Sequence, residues 1–486
     1  KVKDSLGFTP RFCFGVVPAT GFDTVILVSD AYVIKEYANN TVTDISGSIT
    51  GSSDPRPFTG TTLADVTYLN RPDRIPVFKT SAGASFADLT HWDSTWRAAS
   101  IRAFGDQLIA MNLTEGSTSY PTRLRFSDIA FANSIPGSWD ATDPTTSAGF
   151  IDLVQIPTEI KDGLTLGSNF IVYSSDQTWM LEFVGGQFIF QTRKLFDDAG
   201  VINQNSIIEA DGRHYVFGSK DIYVHDSTTK QSICDERVKA FVYDNQNIDV
   251  CFALHNVNLN EIMFCFQSAD ADNEFANANR CNRAAVYNYR NNTWSFYSLP
   301  NVSSGTHANV NSVATYANTT ATYALTGGTY YSQQDSFDRH TLMVGETLTS
   351  DGITSDKLYG LDLSDTGQLA YELDTEATKY PYLERTGIDL DETGSAARQY
   401  VVVTRLYPQA DTNNSSDTTM TFEFGASDIP RNTPTYSSPV TFDIATDHKI
   451  DSRAAGRYLS YRMTLTDNKD FDLSGWDIEV TATGAR

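Results

Sequence analysis

Lysine and arginine are scarce in this chain: they number 36 in 486 residues against 60 aspartates and glutamates, for a formal charge of -24 and a pI near 4.6. Such a surface repels nucleic acid and anionic membranes at long range, which excludes gripping DNA through its phosphates. Cysteine is scarce too. The five, Cys13, Cys234, Cys251, Cys265 and Cys281, are odd in number, with neither CxxC spacing nor a nearby pair of histidines, so no metal is expected. Cys251 and Cys265, in the apolar runs CFALHNV and EIMFCFQ, read as a reduced, buried pair on adjacent strands. No run of eighteen apolar residues occurs and the start KVKDSLGFTPRF lacks the apolar core of a secretory signal, so no membrane insertion is expected.

Sustained helical periodicity is nearly absent as well. In its place, runs of four to eight residues rich in Val, Ile, Phe, Tyr and Thr recur between Gly, Asn, Asp and Ser clusters, the pattern of an all-β chain. Residues 22–37 (FDTVILVSDAYVIKEY), 170–183 (FIVYSSDQTWMLEF) and 214–225 (HYVFGSKDIYVH) share one grammar: an apolar strand, a tight polar turn, then an aromatic-bearing strand. Residues 323–331 (YALTGGTYY) give a shorter copy, and 286–299 a further hairpin turning on Asn291 and Asn292. A hairpin repeated at intervals of several tens of residues is the mark of β-propeller blades, each a small sheet unable to bury both faces alone. The fold expected is therefore all-β: a β-propeller of five or six blades with insertions, followed by a C-terminal β-sandwich-like region.

The expected boundaries place the propeller at residues 1–335, with long inserted loops at about 39–60, 71–85 and 137–149, where Gly, Ser, Thr and Pro concentrate. A polar connector or projecting arm is expected over 336–379. Alternating strands from 380 to 486 read as an antiparallel sandwich packed on the propeller, with Trp476 buried.

Chemistry is hard to find in the residues. There is no GxSxG, HExxH, P-loop or GxGxxG motif, and the seven histidines, 91, 214, 225, 255, 307, 340 and 448, show no ligand spacing. His214 and His225 flank one hairpin and are read as structural histidines bonded to backbone rather than as a metal or acid/base pair. A glycosidase would need two facing carboxylates, and the candidates are Asp176, Glu182, Asp197, Asp198, Glu209 and Asp221. Most of these sit in turns, where acids are expected for turn chemistry alone. Asp270, Asp272 and Glu274 are closely spaced but lack the pattern of a calcium loop and read as a solvated acidic loop. Trp179, Trp294 and Trp476 read as packing residues, and Trp92 and Trp96 as packing in preference to a sugar platform. No catalytic, cofactor or metal residues are assigned, and the chain is read as non-enzymatic.

Residues 123–242 carry a resemblance. RLRFSDIAFANSIPGSW, then the long run from GSNFIVYSSDQTWMLEF to GRHYVFGSKDIYVHDSTTKQSI, together with the closing GRYLSYRMTLTDNKDFDLSGWDIEVTATGAR at 456–486, resemble the propeller-bearing nozzle or hub (tail tubular) proteins of short-tailed bacteriophages. The resemblance implies a homohexameric ring in the virion tail, assembled in the host cytoplasm. It also implies adaptor and other tail proteins as partners, with passive passage of double-stranded DNA during ejection. The alternative is a propeller that binds or cleaves glycans, which acidic composition and aromatics fit equally.

Overall fold

The structure is a computed structural model and describes residues 2–19, 23–38, 41–81, 83–185, 189–243, 246–268, 280–308, 339–349, 352–361, 382–389, 400–412, 419–429, 432–465 and 471–484. Two compact units emerge, residues 2–363 and 364–486.

In the first unit the apolar runs become antiparallel four-stranded sheets. Blade 1 is Phe12–Val16, Thr24–Val28, Ile34–Ala38 and Thr41–Asp44; blade 2 is Thr59–Leu63, Val66–Asn70, Val77–Thr80 and Ala87–Asp88. Blade 3 is Trp96–Phe104, Gln107–Glu115, Thr118–Phe126 and Gly149–Asp152; blade 4 is Ile160–Leu166, Asn169–Ser174, Thr178–Phe183 and Phe190–Phe196. Blade 5 is Ile207–Ala210, Arg213–Phe217, Ile222–His225 and Lys230–Ser232. A seven-stranded sheet follows, and it is two blades joined through one strand. Thr293–Ala308 pairs through its first half with Cys281–Asn288, and through its second half with His340–Thr349. Between the halves lie Pro300 and Asn301, the latter at φ 42, and the register breaks on both sides. Blade 6 is thus Gln246–Asn256, Glu261–Ser268, Cys281–Asn288 and residues 293–299. Blade 7 is residues 302–308, His340–Thr349, Gly352–Gly360 and the N-terminal Val2–Ser5, which pairs with Gly352–Gly360 and closes the ring.

The layering follows from burial. Second strands such as Thr24–Val28 and Asn169–Ser174 are covered on both faces by neighbouring blades and are almost continuously apolar, whereas outermost strands such as Thr41–Asp44 and Lys230–Ser232 are polar and largely exposed. Each seam has its own core: Phe12, Ile34 and Phe58 between blades 1 and 2, Ile109, Phe170 and Leu181 between 3 and 4, and Phe217, Val238 and Phe264 between 5 and 6. The one helix among the described residues, Glu236–Tyr243, drops Val238 and Val242 into that last seam, its first turn capped by Asp235, whose carboxylate accepts from the Val238 amide at 2.7 Å. At the ring closure the amides of Cys13 and Gly15 donate to Ser304 Oγ and Thr306 Oγ1, in step, so innermost strands of neighbouring blades run the same way. All first-to-second and third-to-fourth connections therefore emerge on one face, here called the exit face.

The fold is a β-propeller, and its blade count corrects the expected five or six to seven. The hairpins at 22–37, 170–183 and 214–225 do fall in blades 1, 4 and 5; residues 323–331 lie outside the described residues. The stretches at 39–60 and 71–85 are not only loops, for they contain the last strand of blade 1 and strands of blade 2. Likewise the expected connector at 336–379 begins with two blade 7 strands, because Leu342, Val344 and Leu358 fill the closing seam with Val25 and Leu27. All five cysteines are free and buried, and Cys265 lies opposite Phe252, the neighbour of Cys251, on adjacent strands.

The second unit has two sheets around one core. Thr419–Ser427 pairs with Tyr458–Leu465, Thr435–Tyr436 and Val440–Asp443, with Tyr382–Ile388 on the far edge of Tyr458–Leu465; Tyr400–Thr412 lies between Ile450–Gly456 and Phe471–Gly484. Phe422, Phe442 and Met463 from one sheet meet Leu406 and Ile450 from the other, as in a sandwich. Trp476, expected in the core, is half-buried instead, set edge-on to Tyr461 at 4.3 Å.

Gly200, on the crossover between blades 4 and 5, packs so tightly that a Cβ there would lie 2.2 Å from the Ser175 carbonyl carbon. Gly200→Ala should lower stability by about 1–3 kcal/mol or more, whereas Gly137→Ala, in open space, should be neutral; thermal melts of both variants check this.

Candidate functional site

Innermost strands converge on the propeller axis, and what they carry there decides what the axis can do. Asp162, on blade 4, is buried. Its Oδ1 accepts from Ser100 Oγ at 2.5 Å, Arg102 Nε at 2.9 Å and the Gly163 amide at 2.9 Å; Oδ2 accepts from Arg102 Nη2 at 2.5 Å and the Asn205 amide at 3.0 Å. Arg102, on blade 3, also donates through Nη1 to the Gly60 carbonyl and through Nη2 to Asn205 Oδ1. Asn205 sits at φ 57, a conformation its short polar side chain tolerates, and donates from Nδ2 to the Phe58 carbonyl while its own carbonyl accepts from the Ala253 amide of blade 6. One network thus ties blades 2, 3, 4 and 6 and the approach to blade 5. Burial pushes the Asp162 carboxyl up, but the Arg102 charge and the hydrogen bonds outweigh it and hold the group below the ordinary carboxylate range. With both oxygens occupied by donors, this carboxylate is poorly placed to take a proton from a substrate.

Beside the network lies a cavity of about 300 Å³, lined by Phe14, Arg102, Asn203, His255, Thr306 and His307 among others. That is the lower limit for a small-molecule site. Burial holds His255 and His307 below the ordinary histidine value.

The second buried polar cluster joins blades 4 and 5. His214 and His225 face each other in register, as their flanking of one hairpin predicts. Between them stands Tyr173, which sequence reasoning did not single out. Its hydroxyl lies 2.7 Å from His214 Nδ1 and 2.5 Å from His225 Nε2. His214 Nε2 is 2.9 Å from the Thr165 carbonyl, and His225 Nδ1 accepts from the Ser227 amide at 3.2 Å. These end partners assign the tautomers: His225 Nε2 donates to Tyr173, Tyr173 donates to His214 Nδ1, and His214 Nε2 donates to Thr165. Every ring nitrogen is satisfied by two neutral imidazoles. Burial lowers His214 to about 4, partly opposed by the Thr165 bond, and lowers His225 to about 3, with His214 adding to the effect.

The six candidate carboxylates are dispersed and used locally. Asp176 lies in a turn whose backbone is held by Ser174, Asp197 accepts from Gln177 Nε2 and pairs with Lys194, and Asp198 adopts φ 52 beside it. Glu182 is exposed on blade 4, Glu209 caps its own turn through the Gly212 amide, and Asp221 pairs with Lys239 and Ser232. Asp270, Asp272 and Glu274 lie outside the described residues. Trp179 is buried in the seam of blades 3 and 4, and Trp294 is part-buried and donates to the Ile233 carbonyl. Trp92 packs edge-on against both Trp96 and the buried Trp139, with Arg125 over the Trp96 ring, so this aromatic group is spent on packing blades 2 and 3. Among the described residues no group of three or more metal-ligating side chains gathers, and no helix is long and apolar enough to cross a membrane.

The histidine pair predicts a pH dependence. Above pH 7 both imidazoles are neutral in the folded and unfolded chain and contribute nothing. As pH falls below 6.5 the unfolded chain takes up protons that the folded one refuses, so stability drops until about pH 4 for His214 and about pH 3 for His225. The loss from His214 alone is about 3 kcal/mol. Urea midpoints measured from pH 7.5 to 4.5 should show this fall, and a His214→Asn/His225→Asn variant, though weaker at pH 7.5, should show a shallower one.

No family model matches the chain, and no curated protein sequence matches it. Among solved structures, the WD40 β-propeller domain of Doa1 is similar at a TM-score of 0.40 and 9% identity, with 75% of this chain and 97% of that chain covered.

Proposed function

We propose that the chain is a structural subunit of a bacteriophage tail, a nozzle or hub protein whose copies close into a hexameric ring around the path of the ejected genome. The observation that carries this reading is the hub: Asp162 and Arg102 on the innermost strands are spent on each other and on their neighbours in holding blades together, so the propeller acts as a scaffold presenting its faces and edges. Further support comes from the resemblance of residues 123–242 and 456–486 to that family and from the formal charge of -24. A duplex whose major groove alone is about 12 Å wide cannot pass an axis crossed by Arg102 and Asp162, so its conduit has to lie between subunits. An acidic wall suits that role because it offers few cations to release counterions and hold the DNA.

The test is the assembly state of the purified full chain by light scattering and electron microscopy, with DNA binding alongside. The expected result is a six-fold ring with weak association to duplex DNA that changes little between about 50 and 200 mM salt. A monomer that binds or cleaves glycans, or tight and steeply salt-dependent DNA binding, would overturn the reading.

A further inference from the structure

The exit face of the propeller is chemically unlike the rest of its surface. Nine large apolar side chains are exposed among the described residues of this unit, and seven lie on exit-face connections or at the strand end leading into one: Val17 of blade 1, Ile129 and Phe131 of blade 3, Phe183 (strand end) and Val184 of blade 4, and Val257 and Leu259 of blade 6. The two exceptions are Phe150 on the outer strand of blade 3 and Val154 on the opposite face. Scattered exposed apolar residues need no explanation, but segregation to one face marks an interaction surface.

The densest part spans blades 3 and 4 and is held rigid. Phe131 is 76% exposed, yet its loop is pinned on every side. The Ala130 amide donates to the Asp106 carbonyl, the Asn133 amide to the Ala64 carbonyl of blade 2, and the Ser134 amide to the Phe131 carbonyl, while Asp128 accepts from the Ser147 amide and hydroxyl. Phe183, 61% exposed, ends a chain of rings that runs through Phe190 to Phe126 across the seam. Both rings are thus presented to solvent by structure already paid for in folding, which lowers the ordering cost of a contact there.

Charge selects the occupant. The exit-face connections of blades 2 to 5 contain no lysine or arginine and seven aspartates, of which Asp106, Asp140, Asp211 and Asp226 are exposed. Two exposed cations, Arg213 and Lys230, open blade 5 strands at this face and are outnumbered by the aspartates, and the arginines of the blade 6 and 7 connections, Arg290 and Arg339, are paired with Asp211 and Asp23. Like charge disfavours a second copy bound through the same face and disfavours nucleic acid. We propose that the exit face docks a partner protein whose contact surface is apolar at its centre and rich in lysine or arginine around it, seated over blades 3 and 4 on Phe131 and Phe183. The assignment holds whether or not the chain forms a ring.

The probe is a fluorescent amphipathic helical peptide of leucine and lysine, compared with the same peptide carrying glutamate for lysine, titrated against the full chain by anisotropy. The lysine peptide should bind and the glutamate peptide should not. Phe131→Ser and Phe183→Ser should each weaken binding about tenfold with the melting temperature unchanged, and Val154→Ser, on the opposite face, should leave it intact. Equal binding by both peptides, loss of affinity in Val154→Ser as large as in the phenylalanine variants, or unchanged affinity in those variants would overturn the proposal. So would self-association of the chain that Phe131→Ser abolishes.

Discussion

The ring of blades depends on one buried carboxylate. A carboxylate and a guanidinium taken out of water each lose several kcal/mol of solvation, and the loss is recovered only where geometry is good and the remaining lone pairs are filled. Asp162 meets both conditions, with bidentate contact to Arg102 and three further donors from Ser100, Gly163 and Asn205. The donors come from separate blades and a crossover, so the requirement to satisfy one side chain sets the positions of several sheets at once. A single blade cannot bury its two apolar faces alone, and the hub and seams supply the cover that each blade lacks. The Tyr173 cluster repeats the principle further out, with two neutral histidines and a phenol closing a hydrogen-bond chain between blades 4 and 5.

A hub of this kind shapes what the protein is suited to do. Asp162 and Arg102 are consumed in holding blades together, and on the loops and edges the aspartates cap turns and remain charged. Asp226 accepts from the amides of Thr228 and Thr229, and these bonds keep it below the ordinary carboxylate range. Burial raises Asp128, but the bonds from Ser147 and Ile129 outweigh it. Turn chemistry and the acidic surface are thus the same residues serving two ends, and this explains why acids that look catalytic in the sequence are scattered around the blades.

Much of the architecture was legible. Apolar runs around tight polar turns located the hairpins of blades 1, 4 and 5, because both strands and turn lie within about fifteen residues. Blade 2 escaped because its first strand, Thr59–Leu63, reads TGTTL, and the Arg71 to Arg74 turn resembles a surface loop although Arg71 is buried against Tyr32, Phe58 and Asp73. The division between blades 6 and 7 escaped because one uninterrupted strand serves both, bending at Pro300 and Asn301. His214 and His225 were found as a pair since they sit on one hairpin, but Tyr173 lies 41 residues before His214, and Asp162 and Arg102 are 60 apart. Asp162 in the tripeptide KDG carries every mark of an ordinary turn residue. Contacts made by ring closure leave no local trace.

The measurement that bears most directly on this account is equilibrium unfolding of Asp162→Asn. The substitution keeps the shape and removes the charge, leaving the part-buried Arg102 without its counter-ion. If the hub organises the ring, the variant loses about 3–5 kcal/mol relative to the parent, with loss spread over all blades rather than confined to blade 4. A variant within about 1 kcal/mol of the parent, the range of an exposed ion pair, would contradict the account.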